Sequence, residues 1–253
     1  MAGEKPMLKI VRDLGFALCL ALIAGCEAET RSAPEHRAAE APAAEAEAAP
    51  VEEPLAAPQP PPVPVPTRAD EFEWPPASGY VRIATSKGDL VVELYGEKAP
   101  KTVANFLQYV KDGHYDRTIF HRIVGGFVIQ GGGYGVAFNE RPTRPPIPYE
   151  GDNGLPNYRT TLAMARTRDP NSASAQWYIN LNDNHETLDH FVNDLGPRYG
   201  YTVFGRVIEG MATADAIGAL PTAAAGPFDA EVPTETVIVT RIDQLDGPPN
   251  AAE

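Results

Sequence analysis

Cysteine is almost missing: Cys19 and Cys26 are the only two in 253 residues, and both lie in or beside the N-terminal apolar stretch. The body of the chain therefore offers no thiol for a disulfide, a zinc site or nucleophilic catalysis, and an ordinary apolar core has to stabilise it. Basic residues are scarce as well, 21 Lys and Arg against 34 Asp and Glu, for a formal charge of -13. Nucleic acid and anionic membrane surfaces are bound through clustered Lys and Arg. No such cluster is visible, so nucleic acid is not expected as a partner. A long apolar run is lacking too: Leu14 to Ala24 is uncharged but only eleven residues, too short to span a bilayer. The run Gly131-Gly132-Gly133-Tyr134-Gly135 has neither the Lys-Ser/Thr of a phosphate-binding loop nor dinucleotide-fold spacing, which argues against nucleotides. His185 and His190, flanking Glu186 and Asp189, read as a solvated loop rather than metal ligands. Neither a metal nor a cofactor is expected.

The first residues read as an export signal, residues 1–25: Lys5, Lys9 and Arg12 precede the short apolar run. That run ends in Ile23-Ala24-Gly25-Cys26, which resembles the lipobox of bacterial lipoproteins, where cleavage precedes the Cys and its thiol carries a diacylglycerol. The resemblance implies a lipid anchor at Cys26 on the periplasmic side of the envelope, and Glu27 after the Cys points to the outer membrane. Residues 26–77 then read as a disordered spacer. As far as Ala69 it is dominated by Ala, Pro and Glu, with Val51, Leu55, Val63 and Val65 the only larger aliphatics, too few to build a core. Pro58 to Pro66 is expected to be extended polyproline.

The remainder, residues 78–245, has the pattern of a folded domain, with 246–253 as a disordered tail. Tyr80–Thr85 and Leu90–Tyr95 are β-rich runs separated by Ser-Lys-Gly-Asp, a hairpin signature. Pro100 opens a helical pattern with Val103, Phe106, Leu107 and Val110 on one face and Gly113 as its C-terminal stop. Strands are expected at Thr118–Val124, Phe127–Gln130, Thr161–Ala165, Gln176–Leu181, Thr202–Val207 and Thr236–Ile242, and a second helix at Gly210 to Ala219. Asp169-Pro170-Asn171-Ser172 reads as a turn. The fold class is therefore mainly β: a closed eight-stranded antiparallel barrel capped by two α-helices.

One stretch is specific. Phe120-His121-Arg122-Ile123-Val124-Gly125-Gly126-Phe127-Val128-Ile129-Gln130-Gly131-Gly132 resembles the cyclophilin signature, and Asn153-Gly154, Thr161–Arg166, Ser174–Asn180, Leu188-Asp189 and Val203–Val207 follow in that family's order and spacing. The resemblance covers Tyr80 to Leu245 and implies a peptidyl-prolyl cis/trans isomerase. Carried over by position, it implies Arg122 as the catalytic arginine. Phe127, Val128, Tyr178 and Leu188 would form a proline pocket, and Gln130 and Gln176 would hold the substrate backbone. Arg166 falls where main chain pairs with the peptide, and Tyr201 where many members have a His. Departures are Tyr178 for Phe, Thr187 for Trp or Phe, Tyr201 for His and Gly125 for Pro. The implied partners are proline-containing polypeptides of exported proteins, whose folding would be assisted by a monomeric enzyme.

Such chemistry has modest requirements. An X-Pro bond keeps a rotation barrier of roughly 18–20 kcal/mol because amide resonance must be broken, so exchange takes tens of seconds. A fixed guanidinium that donates to the proline nitrogen as it pyramidalises favours the twisted state over the planar ones. Strand alternation by itself puts Phe127 and Gln130 on opposite faces, so only the resemblance unites them.

Overall fold

The computed structural model describes residues 68–249. The expected signal peptide, Cys26, the spacer up to residue 67 and the tail from residue 250 lie outside the described residues. A short helix α1 (Arg68–Glu71) leads to a hairpin of β1 (Gly79–Thr85) and β2 (Gly88–Leu94), then α2 (Pro100–Lys111), β3 (Thr118–Ile119), β4 (Arg122–Val124) and β5 (Val128–Gly131). There follow β6 (Thr161–Met164), β7 (Trp177–Asn180), α3 (His185–Leu188), a ribbon of β8 (Phe191–Asn193) and β9 (Gly196–Arg198), and β10 (Val203–Glu209). Helix α4 (Met211–Gly218), a second ribbon of β11 (Thr222–Ala225) and β12 (Phe228–Pro233), and β13 (Ile238–Leu245) complete the order. Asp169 caps a 3-10 turn at Pro170–Ser172 by accepting from Asn171 N.

Nine strands make one antiparallel sheet in the order β3-β13-β1-β2-β10-β6-β7-β5-β4. Its two edges, β3 and β4, are consecutive pieces of one segment. Phe120 N donates to Val237 O on one side and His121 N to Gln130 O on the other, both at 3.1 Å. The sheet therefore curls into a half-barrel whose two edge strands follow one another in the chain but are not paired with each other, rather than the closed barrel expected. The stretch expected as one strand, Thr118–Val124, breaks at Phe120-His121 to serve both edges, so the count is nine rather than eight. Besides α2 and α4 there are the single-turn helices α1 and α3, and the two ribbons were not expected.

Inside the curl, Ile123, Ile129, Ile179 and Leu162 face one another across β4, β5, β7 and β6. They join Phe106 of α2, Trp177, Phe204 and Ile217 of α4 in the main core, each at most 1% exposed. Burying each such side chain contributes roughly 1.5–3 kcal/mol. Helix α2 starts at Ala99, which has no capping side chain. Glu150 supplies the cap instead, accepting from Lys101 N and from both Thr102 N and Thr102 Oγ1. Gly113, at φ +66°, ends the helix in the left-handed conformation that glycine adopts without strain.

The expected domain start at residue 78 needs correction. Arg68–Trp74, assigned to the spacer, belong to the fold: Ala69 is buried and accepts from Trp74 Nε1 at 2.7 Å. The Trp74 ring stacks on Tyr95 at 5.7 Å, with the Arg206 guanidinium 5.0 Å from its centroid on the same ring. Two aromatic rings, Phe72 and Trp74, bury apolar surface against the second core cluster and hold this segment to the fold.

Candidate active site

The outer face of the sheet carries a second apolar cluster. Successive cross-strand partners Arg122, Gln130, Tyr178, Ala163 and Val203 run in one row over β4, β5, β7, β6 and β10. Val128 lies beside Gln130 on the same face, and Tyr95, Leu155 and Leu188 pack onto the row. A cavity of about 340 Å³ opens over it, lined by Arg122, Phe127, Val128, Gln130, Ala165, Arg166, Tyr178, Leu188 and Tyr201. Eight of the nine residues singled out in the sequence thus share one cavity. Gln176 lies in an adjoining groove of about 290 Å³ with Glu140, Thr167, Ser172 and Ser174, and Gln130, Ala165 and Arg166 line both. Gln130 Nε2 donates to Gln176 Oε1 at 2.9 Å and bridges the two spaces. Thr187 is exposed on α3 and does not line the cavity.

Phe127 reaches the cavity because it is not part of a strand. The chain turns at Gly125–Phe127, with Gly126 at φ +68° and Phe127 N donating to Val124 O, so alternation does not apply to the ring. Its carbonyl is held by Leu181 N at 2.8 Å and Asn184 Nδ2 at 2.9 Å.

Below the floor lies a buried polar network. The Tyr178 hydroxyl, expected to add a polar group to the pocket wall, instead donates to Asn157 Oδ1 at 2.9 Å. Burial holds its pKa well above 10, so it remains a donor. Asn180 Nδ2 also donates to Asn157 Oδ1, while Asn157 N and Nδ2 donate to Asp189 Oδ1 at 2.7 and 2.8 Å. Burial raises the Asp189 pKa, which the Asn157 hydrogen bonds partly offset. The far wall is closed where Tyr201 N donates to Leu188 O at 2.9 Å. Gly200 makes that approach possible: a Cβ there would lie 2.2 Å from His190 N and 2.4 Å from Leu188 O.

Two cations reach the cavity, with different freedom. Arg166 stacks 4.6 Å from the Tyr201 centroid and donates to the carbonyls of Thr167, Tyr199 and Gly200, so its charge is spent on main chain. Arg122 donates through Nε to Glu231 Oε2 at 2.7 Å and through Nη1 to Gln130 Oε1 at 3.4 Å. Neither Glu231 nor Ala165 was singled out in the sequence. Glu231 lies on β12, 109 positions from Arg122, and only the topology unites them. Beside Arg122, His121 is 2% exposed, and burial pushes its pKa down to about 4, so it is neutral at pH 7. No group of three His, Cys, Asp or Glu placed to hold a metal occurs among the described residues.

An anchored guanidinium at the rim of an apolar floor, with amide side chains bridging to a second groove, suits a peptide gripped by one ring and along its backbone. Known proteins agree. Residues 80–244 match the family model described as cyclophilin type peptidyl-prolyl cis-trans isomerase/CLD. The chain is 47% identical over 159 residues to peptidyl-prolyl cis-trans isomerase cyp18 of Streptomyces antibioticus, covering 63% of this chain and 94% of that one. With peptidyl-prolyl cis-trans isomerase B of Escherichia coli (strain K12) it shares 44% over 165 residues, 64% of this chain and 97% of that one. A crystal structure of a Cryptosporidium parvum cyclophilin type isomerase superposes with a TM-score of 0.54 at 26% identity, covering 67% of this chain and 99% of that one. A second structure of that protein, with a TM-score of 0.53, was obtained in the presence of the dipeptide ala-pro. Fold, signature and relatives converge: the chain belongs to the cyclophilin family and is a peptidyl-prolyl cis-trans isomerase of that type.

Proposed function

We propose that X-Pro bonds are isomerised in the 340 Å³ cavity, with Arg122 as the catalytic donor. The supporting observation is one guanidinium held at two points beside an apolar floor. Phe127, Val128, Tyr178 and Leu188 grip the proline ring, while Gln130 and Gln176, which donate and accept, hold the peptide backbone beyond the rotating bond. Arg166 and Tyr201 fix the opposite wall. As the amide twists, its nitrogen gains a lone pair and becomes a better acceptor for Arg122, an interaction that the planar substrate lacks. Removing one preorganised donor of this kind costs about a hundredfold to a thousandfold in turnover. A protease-coupled assay on an Ala-Pro peptide tests the reading: Arg122→Ala should lose activity on that scale, and retention of full activity would refute it.

The same proposal places the enzyme outside the cytoplasm. Lys5, Lys9 and Arg12 before a short apolar run ending in Ile23-Ala24-Gly25-Cys26 support export and acylation at Cys26, with the Ala/Pro/Glu-rich segment as tether. Two acyl chains anchor stably where one is marginal. The outer membrane is its site and exported proline-containing polypeptides are its substrates, whose slow X-Pro exchange it accelerates as a monomer. Mass spectrometry of the native protein should find diacylglycerol on an N-terminal Cys26; an intact Met1 would overturn this part.

A further inference from the structure

The β11–β12 ribbon takes no part in the cavity floor, yet it is clamped against the strand that carries Arg122. Phe228 stacks on His121, ring centroids 5.4 Å apart and planes 25° apart, and meets Tyr134 edge-on at 5.0 Å. Three residues further on, Glu231 has φ +65°, a conformation that few non-glycine residues adopt. Strained backbone of this kind persists only where its surroundings dictate it, and it gathers at functional sites. The Glu231 carboxylate accepts from Arg122 Nε at 2.7 Å, with the two side chains 38% and 43% exposed. Pairs so exposed add little to stability. Neither the strained backbone nor the pair is therefore explained by holding the fold together.

Both are explained by the placement of Arg122. An arginine side chain has several free rotamers, and ordering it carries an entropic cost. Holding Nε through Glu231 and Nη1 through Gln130 fixes the guanidinium plane, and among the described residues Nη2 is left without a protein acceptor. A donor needed only as the amide twists is effective to the extent that it is already in place. We propose that Glu231 is a positioning residue for Arg122: it orients the guanidinium for the twisted peptide and leaves peptide affinity nearly untouched. The proposal deepens the reading of Arg122 as the catalytic donor and rests on it.

NMR exchange spectroscopy on the full chain measures interconversion of a bound Ala-Pro peptide, a titration of the same peptide gives affinity, and thermal melts report the fold. Glu231→Gly removes the carboxylate and accepts φ +65° freely, so the melting temperature should hold or rise. Interconversion should nevertheless fall about tenfold, with affinity within about twofold of wild type. Glu231→Gln keeps an acceptor oxygen and should lose only about twofold to threefold. In an Arg122→Ala background, Glu231→Gly should have no further effect, because the group it acts through is gone. Wild-type interconversion in Glu231→Gly, or equal losses in both backgrounds, would overturn the proposal. Full activity of Arg122→Ala alone would instead sink the reading on which it rests.

Discussion

Acidification should remove about 3 kcal/mol of stability through one side chain, His121. Its imidazole is 2% exposed and wedged between Tyr134 and Phe228. Burial is the main reason that its pKa falls from 6.5 to about 4; the Arg122 charge adds to the effect, and the Ile119 carbonyl and Gln176 oppose it. The unfolded chain therefore takes up a proton at higher pH than the folded one does. A depressed pKa in the folded state means that the contribution is complete above pH 6.5, shrinks as pH falls, and is gone at about pH 4. Each pH unit within that window costs about 1.4 kcal/mol, which gives the figure above. Urea denaturation of wild type and His121→Phe at pH 7, 6, 5 and 4 would measure it. The variant keeps a ring on Phe228 but cannot charge, so its stability should fall by about 3 kcal/mol less than wild type over the same range. Burial also lowers the His114 pKa, but that effect is common to both proteins and cancels. Parallel pH profiles would refute the reasoning.

Tyr178→Phe should cost only about 1 kcal/mol in urea denaturation, because Asn157 Oδ1 keeps its bond from Asn180 Nδ2. Turnover should be nearly unchanged, since the lost hydroxyl faces the network and not the cavity. Asn157→Ala strands the buried Tyr178 hydroxyl and removes one of the two donors to Asp189 Oδ1, while Asn180 Nδ2 keeps Thr161 Oγ1, so it should cost about 2–3 kcal/mol by the same measurement. Gly200→Ala forces a Cβ into the backbone at Leu188–His190 and should destabilise by about 1–3 kcal/mol, with a larger loss of peptide affinity by titration than Tyr178→Phe.

Much of the barrel could be read from residue patterns, because hairpins and one amphipathic helix are local signals. Pro100, Val103, Phe106 and Val110 announce α2, and the β1–β2 turn follows from Ser-Lys-Gly-Asp. The ribbons were hidden for a physical reason. Thr222–Ala225 has little β-branched character, and Phe191–Arg198 contains Gly and Pro with no alternation, so neither matches a half-buried strand. Phe72 and Trp74 carried a signal of their own that the surrounding Ala and Pro outweighed in the composition. Within the site, Arg122 and Gln130 sit opposite each other because a short turn joins their strands, which local spacing can suggest. Placing Phe127 with them required the turn at Gly126: the pair Gly125-Gly126 signals a bend, but not the direction in which it sends the Phe127 ring. Glu231 and the Asn157 network depend on contacts between distant segments, and no local pattern encodes those.

The central claim is that Arg122 acts on the twisted amide rather than on the bound peptide. NMR exchange spectroscopy on Arg122→Ala, paired with a titration of the same Ala-Pro peptide, tests it directly. Interconversion on the enzyme should fall about a hundredfold to a thousandfold while affinity changes far less. Arg122→Lys should recover only part of the rate, because an ammonium keeps the charge without the planar fork. If rate and affinity fell in equal proportion with the fold intact, Arg122 would be a peptide anchor, and the account given for this site would be contradicted.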